Sequence, residues 1–486
     1  MNFIREEWPM VLDEAGMIDD WRGTRILILG AGRQGVALAR WLARHNARVT
    51  VNDLRKMEEM VSERSALMDF ELEWVAGGHP INLLDTTDLL CLSGGVPIDI
   101  PIVKAARERG IPLSNDTQIF LQAVPCRTIG ITGSAGKTTT TTLVGKMATL
   151  AFESSQNIAS MDGHPKVYIG GNIGDPLINY LDEMQPDDLA ILEISSFQLD
   201  QMTVSPNIAV LLNLTPNHLD RHGDMAAYTA AKARILEFQQ EKDVAVIGRD
   251  NPAAWSLSSN VKGRLFTFSI HELEPGLDGA YQLDGLLSLR VGETYLPLLL
   301  KEKIKLRGDH NLSNILAAFT IGYAAGFPLD SMLEAVESFQ GVPHRLELVQ
   351  EINGVRWYND SIATAPERSI AAIKSFTEPI VLLLGGRDKN LPWNELAELI
   401  HNRVDHVVIF GEAAPKIESV LGKSIPGKRP YTLDRVADLH QAVFKAAELA
   451  QPGDVVLFSP GGTSYDAFKD FEQRGHKFNE WVRELT

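Results

Sequence analysis

Cysteines, long apolar runs and a basic charge balance are what this sequence lacks. Its 486 residues contain two cysteines, Cys91 and Cys126, which are too few for a disulfide framework and are typical of a reducing compartment. No apolar run approaches the length of a membrane span. The N-terminal segment "MNFIREEWPMVLDEAG" carries acidic residues where a secretory signal peptide needs an apolar stretch. We therefore expect a cytoplasmic protein without a membrane span.

The shortage of basic residues limits the expected partners. Lysine and arginine number 46 against 63 acidic residues, which gives a net charge of −17. Such a charge repels the backbone of nucleic acids and anionic membrane surfaces, so neither is an expected partner. A local basic site for a small phosphate-bearing molecule is compatible with this balance.

The composition that is present is that of a multidomain globular protein, with 44% hydrophobic and 22% charged residues. Three stretches repeat a pattern of buried strand, glycine turn and helix. Between about residues 265 and 306 the pattern changes to short alternating segments, which predict antiparallel strands. We expect an α/β protein of three domains: a Rossmann-like domain at 1–124, a central P-loop-ATPase-like domain with a mixed sheet at 125–342, and a Rossmann-like domain at 343–486.

The segment "GITGSAGKTTT" indicates a phosphate-binding loop at the start of the second domain. The usual P-loop has a glycine five positions before its last glycine, where this sequence has Ile131. Gly133 and Gly136 still allow backbone amides to face a phosphate at a helix N-terminus. Lys137 can neutralise phosphate charge, and a following threonine can bind magnesium. A glycine-rich structural turn with a surface lysine is the alternative.

A second glycine turn, "GAGRQG", follows the first strand and includes Gly30, Gly32 and Gly35. Asp53 ends the next strand, where an acidic side chain can accept hydrogen bonds from a ribose or a base. This pattern predicts a phosphate-bearing ligand and, taken alone, a nicotinamide dinucleotide. A tight turn without a ligand is the alternative.

Three further side chains of the second domain are candidates for metal or substrate binding. Glu193 ends the strand "LAILE", where a carboxylate can face a metal beside the phosphate loop, although a surface or capping glutamate fits as well. His218 follows another strand and has a functional and a structural interpretation. Lys232 lies on a predicted helix, and its residue type alone indicates a solvated lysine.

Near the second domain boundary, "GVPHRLE" and "WYNDSIAT" place Arg345 and Asp360 where they could close over nucleotide and metal or form a hinge ion pair. Lys389 and Ser464 follow strands of the third domain, where a small anion would bind.

The chain contains, in this order, the segments "GITGSAGKTTT", "GGNIG", "EISSFQL", "NHLDRHG", "YTAAKARI", "GDHNLSN", "GVPHRLE", "NDSIAT" and "SPGGTSYDAFKDFEQRG". With these segments it resembles the Mur ligases over nearly its whole length. The resemblance implies an ATP-dependent amide-forming ligase of peptidoglycan precursor synthesis that joins D-glutamate to UDP-N-acetylmuramoyl-L-alanine through an acyl phosphate. It replaces the dinucleotide in the first domain with the UDP-linked substrate. It also implies ATP, two magnesium ions and a carbamylated Lys232. We expect a monomer whose partners are these small molecules.

The resemblance assigns site residues by matching motif. It implies a catalytic set of Lys137, Glu193, His218 and Lys232, and metal contacts from Thr138, Glu193, His218 and Lys232. It implies ATP contacts from Gly133, Ser134, Ala135, Gly136, Lys137, Thr138, Thr139, Asn311, Asn314, Arg345 and Asp360. The UDP-linked substrate would contact Gly30, Arg33, Gln34, Asp53, Gly94, Asn172 and His218. D-glutamate would contact Thr364, Lys389, Ser464 and Phe471.

One position departs from the pattern of the resemblance. Some relatives have a lysine directly after the "DS" of "NDSIAT", where this chain has Ile362. A positive charge near the incoming amino acid would then be absent or would come from Arg368 or Lys389. The segment before Asp20 has no assigned role.

Three competing interpretations are a ligase for another amino acid, a nicotinamide-dependent oxidoreductase and a non-catalytic ATP-binding protein.

Overall fold

The computed structural model describes residues 21–155, 165–172, 174–306, 308–389 and 391–485. The segment before Asp20 lies outside them. The described residues up to Ile304, together with Asp309–Ser338, form one compact unit. Lys305–Gly308 and the described residues from Phe339 onward form a second. Among the residues that the structure describes, no helix combines the length and the apolar character needed to cross a membrane.

The first part of the first unit is a five-stranded parallel sheet with the order β3-β2-β1-β4-β5, as expected of a Rossmann-like domain. Its strands are β1 Arg25–Leu29, β2 Arg48–Asp53, β3 Glu73–Ala76, β4 Leu89–Leu92 and β5 Leu113–Ser114. Its helices are α1 Arg33–Arg44, α2 Val61–Ser65, α3 Pro101–Glu108 and α4 Asp116–Ala123, with 3₁₀ helices at Met57–Glu59 and Ile81–Thr86.

The rest of the first unit is built on a nine-stranded sheet with the order β14-β13-β12-β11-β10-β9-β6-β8-β7. Its strands are β6 Arg127–Thr132, β7 Val167–Gly171, β8 Leu189–Glu193, β9 Ile208–Leu211, β10 Val244–Gly248, β11 Arg264–Ser269, β12 Gly279–Leu283, β13 Leu286–Val291 and β14 Thr294–Leu300. Its helices are α5 Lys137–Ser155, α6 Ser196–Leu199, α7 Leu219–His222, α8 Met225–Glu237, α9 Pro252–Trp255, α10 Asp309–Ala325 and α11 Leu329–Ser338. Further 3₁₀ helices cover Leu177–Glu183, Ser256–Asn260 and Lys301–Lys303. The pairs β12–β13 and β13–β14 are antiparallel, as the alternating segments predicted.

The second unit contains a six-stranded sheet with the order β15-β16-β20-β17-β18-β19, in which only the β15–β16 pair is antiparallel. Its strands are β15 Glu347–Ile352, β16 Val355–Asn359, β17 Ile380–Gly385, β18 His406–Phe410, β19 Thr432–Arg435 and β20 Val455–Gly461. Its helices are α12 Pro366–Lys374, α13 Asn394–Arg403, α14 Ala414–Leu421, α15 Leu439–Leu449 and α16 Phe471–Arg483.

Alternating apolar residues let each parallel strand pack against helices on both faces of its sheet. On β1, Ile26 and Ile28 belong to one core cluster, whereas Leu27 and Leu29 belong to another. On β17, Ile380, Leu382 and Leu384 face one cluster, and Val381 and Leu383 face the other. This is why the strands read as continuous apolar runs. The three-domain α/β fold is confirmed, whereas the boundaries at 124/125 and 342/343 stay predictions.

Candidate active site

The predicted phosphate loop joins the C-terminal end of β6 to the N-terminus of α5. Gly136 has a positive φ of 86°, and a Cβ at this position would collide with the side-chain oxygen of Asn314 on α10. Lys137 folds back over the loop, where its Nζ donates a hydrogen bond of 3.0 Å to the carbonyl oxygen of Gly133. The loop therefore combines a helix N-terminus, a lysine and two glycines, which is the arrangement that binds phosphate.

A residue that the sequence analysis did not identify, Asn213, holds the phosphate loop from the end of β9. Its side-chain oxygen accepts a bond of 2.9 Å from the Ala135 amide, and its Nδ2 donates one of 3.0 Å to the Ala135 carbonyl. The Ser134 hydroxyl contacts the Thr215 backbone at 2.9 Å and the Tyr228 hydroxyl at 3.0 Å. The only sequence signal for Asn213 is its place directly after a buried strand.

Replacing Asn213 by alanine removes both side-chain bonds to Ala135. We expect the KM for ATP to rise about tenfold, because two lost hydrogen bonds free a loop that is otherwise preorganised. Steady-state kinetics with varied ATP checks this. Asn179→Ala is the control, since its side chain bonds to Arg40 at 3.1 Å elsewhere in the same unit. Equal KM values for ATP in Asn213→Ala and the unaltered protein would contradict the prediction.

Glu193, Thr138 and Asn172 form an oxygen-rich group beside the loop. Glu193 ends β8 and is buried. One of its carboxylate oxygens accepts a bond of 2.8 Å from the Thr138 hydroxyl, and the other accepts one of 3.0 Å from the Asn172 amide. Carboxylate, hydroxyl and amide oxygens suit magnesium, which keeps several water or phosphate ligands of its own. Among the described residues no group of three or more histidine, cysteine or acidic side chains forms a ready-made cage.

Lys232 is buried rather than solvated, so the interpretation from its residue type was wrong. It has 2% of its surface exposed. Its Nζ donates to the Thr132 hydroxyl at 3.1 Å and lies 5.1 Å from the centre of the Tyr228 ring. Burial and the nearby Lys137 hold its pKa well below the usual value, although Glu193 acts in the opposite direction. The buried amine therefore loses its proton more readily than a solvated lysine does.

His218 is exposed, in contrast to the buried Glu193 and Lys232, and lies just beyond β9. Its backbone has a φ of 54°, which is strained for a residue other than glycine. The His218 ring lies edge to face against the Phe197 ring, with 5.3 Å between the ring centres. The Phe197 ring also stacks on the His222 ring, with 5.2 Å between their centres. The role of His218 in metal or substrate binding stays a prediction.

The glycine turn of the first sheet is tightly built. Gly35 lies so close to the Gly30 carbonyl that a side chain there would collide with it. Arg33 donates to the Asn172 carbonyl at 3.4 Å, and Gln34 accepts from the Gly94 amide at 3.3 Å. The Arg33 bond thus links α1 to the end of β7, and the Gln34 bond links α1 to the loop after β4.

Asp53 has protein partners on both carboxylate oxygens. One oxygen accepts from the Ala31 amide at 2.7 Å, and both accept from Arg55 at 2.9 to 3.1 Å. Burial alone would raise its pKa, but the hydrogen bonds from Arg55 and Ala31 lower it to about 2. In this structure Asp53 therefore fixes the turn and Arg55, while its predicted contact with the substrate stays a prediction.

In the second unit, Asp360 follows β16 and is buried. Its carboxylate accepts from the Ser459 hydroxyl at 2.8 Å and from the Leu346 amide at 3.2 Å. Burial raises its pKa to about 7, while those bonds and the charges of Arg345 and Arg368 act to lower it. The Leu346 bond links Asp360 to the segment that carries Arg345.

The raised pKa of Asp360 predicts a pH-dependent stability of the second unit. Between its ordinary value of 3.8 and about 7, the folded unit keeps a proton that the unfolded chain has released. Stability therefore falls as the pH rises through this window. Asp360→Asn removes this dependence, because asparagine does not titrate. The Tm of the variant minus the Tm of the unaltered protein should therefore be on the order of 5 °C larger at about pH 8 than at about pH 4.5. Calorimetry of both proteins, with the exposed Glu351→Gln as control, measures this, and a gain independent of pH would contradict it.

The residues predicted for D-glutamate lie on the loops that follow β16, β17 and β20 and at the start of α16. Lys389 Nζ reaches the Thr364 hydroxyl at 3.4 Å. Ser464 is buried, and the Phe471 carbonyl accepts from Ser361 at 2.8 Å. Arg368 donates to the Ile362 carbonyl at 3.3 Å. Both cations considered as substitutes for the missing lysine thus lie near residues 362–364.

Models of three protein domains match the chain in sequence. The Mur ligase MurD-like N-terminal domain matches residues 24–115, the Mur ligase middle domain 131–322, and the Mur ligase glutamate ligase domain 344–462. Each match falls on one of the three sheets described above.

Curated relatives match nearly the full length. The UDP-N-acetylmuramoylalanine--D-glutamate ligase of Symbiobacterium thermophilum is 37% identical over 95% of this chain and 98% of its own. The enzyme of that name from Acidobacterium capsulatum is 38% identical over 95% and 96%. Among solved structures, a UDP-N-acetylmuramate-alanine ligase from Thermotoga maritima covers 95% of this chain and 100% of its own, with 18% identity and a TM-score of 0.52. That last likeness supports the fold alone.

Proposed function

This chain belongs to the Mur ligase family, and we propose that it joins D-glutamate to UDP-N-acetylmuramoyl-L-alanine with ATP as phosphoryl donor. The observation that carries the proposal is the identity of about 37% over about 95% of the chain with curated ligases of that name. The reaction belongs to peptidoglycan precursor synthesis. We place it in the cytoplasm, carried out by a monomer.

The phosphate loop supplies the ATP-binding part of the reaction. The amides of Gly133–Thr139 and the N-terminus of α5 bind the phosphate oxygens, and Lys137 leaves the Gly133 carbonyl to neutralise charge on the transferred group. Asn311 and Asn314 contact the nucleotide from α10, which is supported by the closeness of Asn314 to Gly136. We also assign Arg345 and Asp360 to ATP.

Magnesium fits the oxygens of Thr138 and Glu193. When bound there, magnesium offsets the negative charge that develops during phosphoryl transfer. Asn172 orients Glu193 through its 3.0 Å bond, so that the carboxylate keeps one direction before the ion arrives. We assign a second ion to His218 and a carbamylated Lys232, because a carbamate converts the buried cation into an anion that a metal can use.

The chemistry proceeds in two steps. A terminal carboxylate oxygen of the UDP-linked substrate attacks the γ-phosphorus of ATP, and ADP leaves, which gives an acyl phosphate. The neutral amine of D-glutamate then attacks the acyl carbon and loses a proton. The tetrahedral intermediate collapses with loss of inorganic phosphate, and an amide remains. Phosphorylation is needed because a free carboxylate oxygen is a poor leaving group.

Substrate binding is divided between the units. The UDP-linked substrate is held by Gly30, Arg33, Gln34, Asp53, Gly94, Asn172 and His218. Thr364, Lys389, Ser464 and Phe471 hold D-glutamate. The contact between Lys389 and Thr364 supports this assignment, since it keeps an ammonium group where a carboxylate of the amino acid can bind.

The test is phosphate release from ATP and magnesium with UDP-N-acetylmuramoyl-L-alanine, with and without D-glutamate. We expect release that requires D-glutamate and a product heavier by one glutamate residue. L-glutamate and other amino acids serve as matched controls. Release with a different amino acid instead would make the chain a ligase of other specificity, and absence of release with all of them would overturn the proposal.

A further inference from the structure

Arg474 is a buried arginine on α16 that the mechanism above does not use. It has 0% of its surface exposed. Its Nε donates to the Ser361 hydroxyl at 3.1 Å and its Nη2 to the Ser361 carbonyl at 2.8 Å. Its Nη1 donates to the Gly462 carbonyl at 3.1 Å. One guanidinium thus binds the loop after β16 and the loop after β20.

The charge of Arg474 is not neutralised by a hydrogen-bonded carboxylate among the described residues. The carboxylate that acts on it, Asp466, does so through space, and burial lowers the pKa of the guanidinium to about 10. A buried cation without a bonded anion reduces stability, and an apolar side chain of the same size would avoid this cost. The arrangement therefore needs a reason other than stability.

On one side, Arg474 connects to the segment that carries Arg345. The Ser361 carbonyl, which accepts from Nη2, belongs to the same peptide group as the Ile362 amide. That amide donates to the His344 carbonyl at 3.1 Å. His344 directly precedes Arg345. The Ser361 hydroxyl also donates to the Phe471 carbonyl at 2.8 Å. Displacing the guanidinium would remove the two bonds that it makes to Ser361 in this segment.

On the other side, Arg474 connects to the loop that carries Lys389. The Gly462 carbonyl, which accepts from Nη1, belongs to the same peptide group as the Thr463 amide. That amide donates to the Arg387 carbonyl at 2.9 Å. The Arg387 amide returns a bond of 2.9 Å to the Thr463 carbonyl. Gly386 packs so closely that a Cβ there would lie 2.8 Å from Nη1. Ser464 follows Thr463 directly.

We propose that Arg474 is a positioning residue that holds the ATP-contacting segment and the amino-acid-binding loops of the second unit in one arrangement. This rests on the proposed function, which assigns Arg345 and Asp360 to ATP and Lys389 and Ser464 to D-glutamate. The planar guanidinium suits the task because its donors point in fixed directions toward three acceptors. A lysine keeps the charge but cannot reproduce that fork.

The test compares Arg474→Lys and Arg474→Met in the full chain. We expect Arg474→Lys to keep its Tm and to raise the KM for ATP and the KM for D-glutamate about tenfold each, while the KM for the UDP-linked substrate is unchanged. Arg474→Met should show the larger change. The matched control is Arg403→Met, because Arg403 also donates to two backbone carbonyls, of Phe376 at 2.9 Å and Glu378 at 2.7 Å, at the opposite end of the sheet.

Other outcomes overturn the proposal. A fall in kcat with all three KM values unchanged would mean that Arg474 affects only the folded fraction, and the same KM pattern in Arg403→Met would mean a non-specific effect. If both Arg474 variants unfold, Ser361→Ala is the deciding variant, since it removes the hydroxyl that accepts from Nε. A rise of about threefold in the KM for ATP and in the KM for D-glutamate supports the proposal, and unchanged values overturn it. Failure of the unaltered protein to release phosphate with any amino acid would instead overturn the proposed function.

Discussion

Lys137→Met should lower D-glutamate-dependent phosphate release about 10³-fold, because it removes the one side-chain cation of the phosphate loop. In the structure Lys137 Nζ is held 3.0 Å from the Gly133 carbonyl, so the charge is already directed along the loop before a nucleotide arrives. Methionine matches the length of the lysine stem without its charge. The loss should therefore appear mainly in kcat, where the transferred phosphoryl group carries the most charge.

The control for this variant is Lys146→Met on the same helix. Lys146 lies nine residues further along α5 and has no predicted role. It tests whether loss of any lysine from the helix lowers activity through the fold. Single-turnover measurements separate phosphoryl transfer from product release. Phosphate release by Lys137→Met within a factor of ten of the unaltered protein would contradict the assignment of this loop.

Lys232→Ala and Lys232→Arg should both lose activity about 10²-fold or more, since neither can form a carbamate. In the carbamylation reaction, the neutral amine adds to carbon dioxide and one proton is released, which leaves a carboxylate on Nζ. The burial of Lys232 favours the neutral amine that this addition requires. The loss in the arginine variant is informative, because arginine preserves the positive charge that a merely structural lysine would supply.

Removal of carbon dioxide provides a second measurement on the same residue. Protein dialysed into buffer free of carbon dioxide should lose activity and regain it with bicarbonate, and intact-mass spectra should show the matching adduct. Lys242→Ala, an exposed lysine beyond the end of α8, is the control and should keep the bicarbonate response. Full activity of Lys232→Arg, or indifference of the unaltered protein to bicarbonate, would contradict the prediction.

Several features of this protein were predictable because they depend on short stretches of sequence. The apolar run of β1, the glycine turn after it and the helix α1 follow from periodicity and from the conformational freedom of glycine. The phosphate loop was predictable despite Ile131, since the strand and the helix on either side of Gly133–Gly136 identify it. The antiparallel β12–β14 strands followed from alternation.

Lys232 shows where local reasoning fails. A lysine on a helix is ordinarily solvated, and nothing in the spacing of α8 indicates otherwise. Its burial arises because α8 packs against the sheet and brings the amine to Thr132, 100 residues away. Only the resemblance to a known family identified this residue in advance. Asp53 was predicted as a substrate contact, and its protein partners Ala31 and Arg55 became visible only in the folded chain.

By itself, therefore, the sequence determined the three α/β domains, the phosphate loop and the family to which the chain belongs, because these depend on periodicity, turn chemistry and motifs read within a few dozen residues. The tertiary structure decided which side chains meet. Asn213, which follows β9, bonds to Ala135 of the phosphate loop, 78 residues away. Arg474 bonds to Ser361 and Gly462, which lie on two different loops. Such pairs form only when strands of a sheet align their C-terminal ends, which no local pattern encodes.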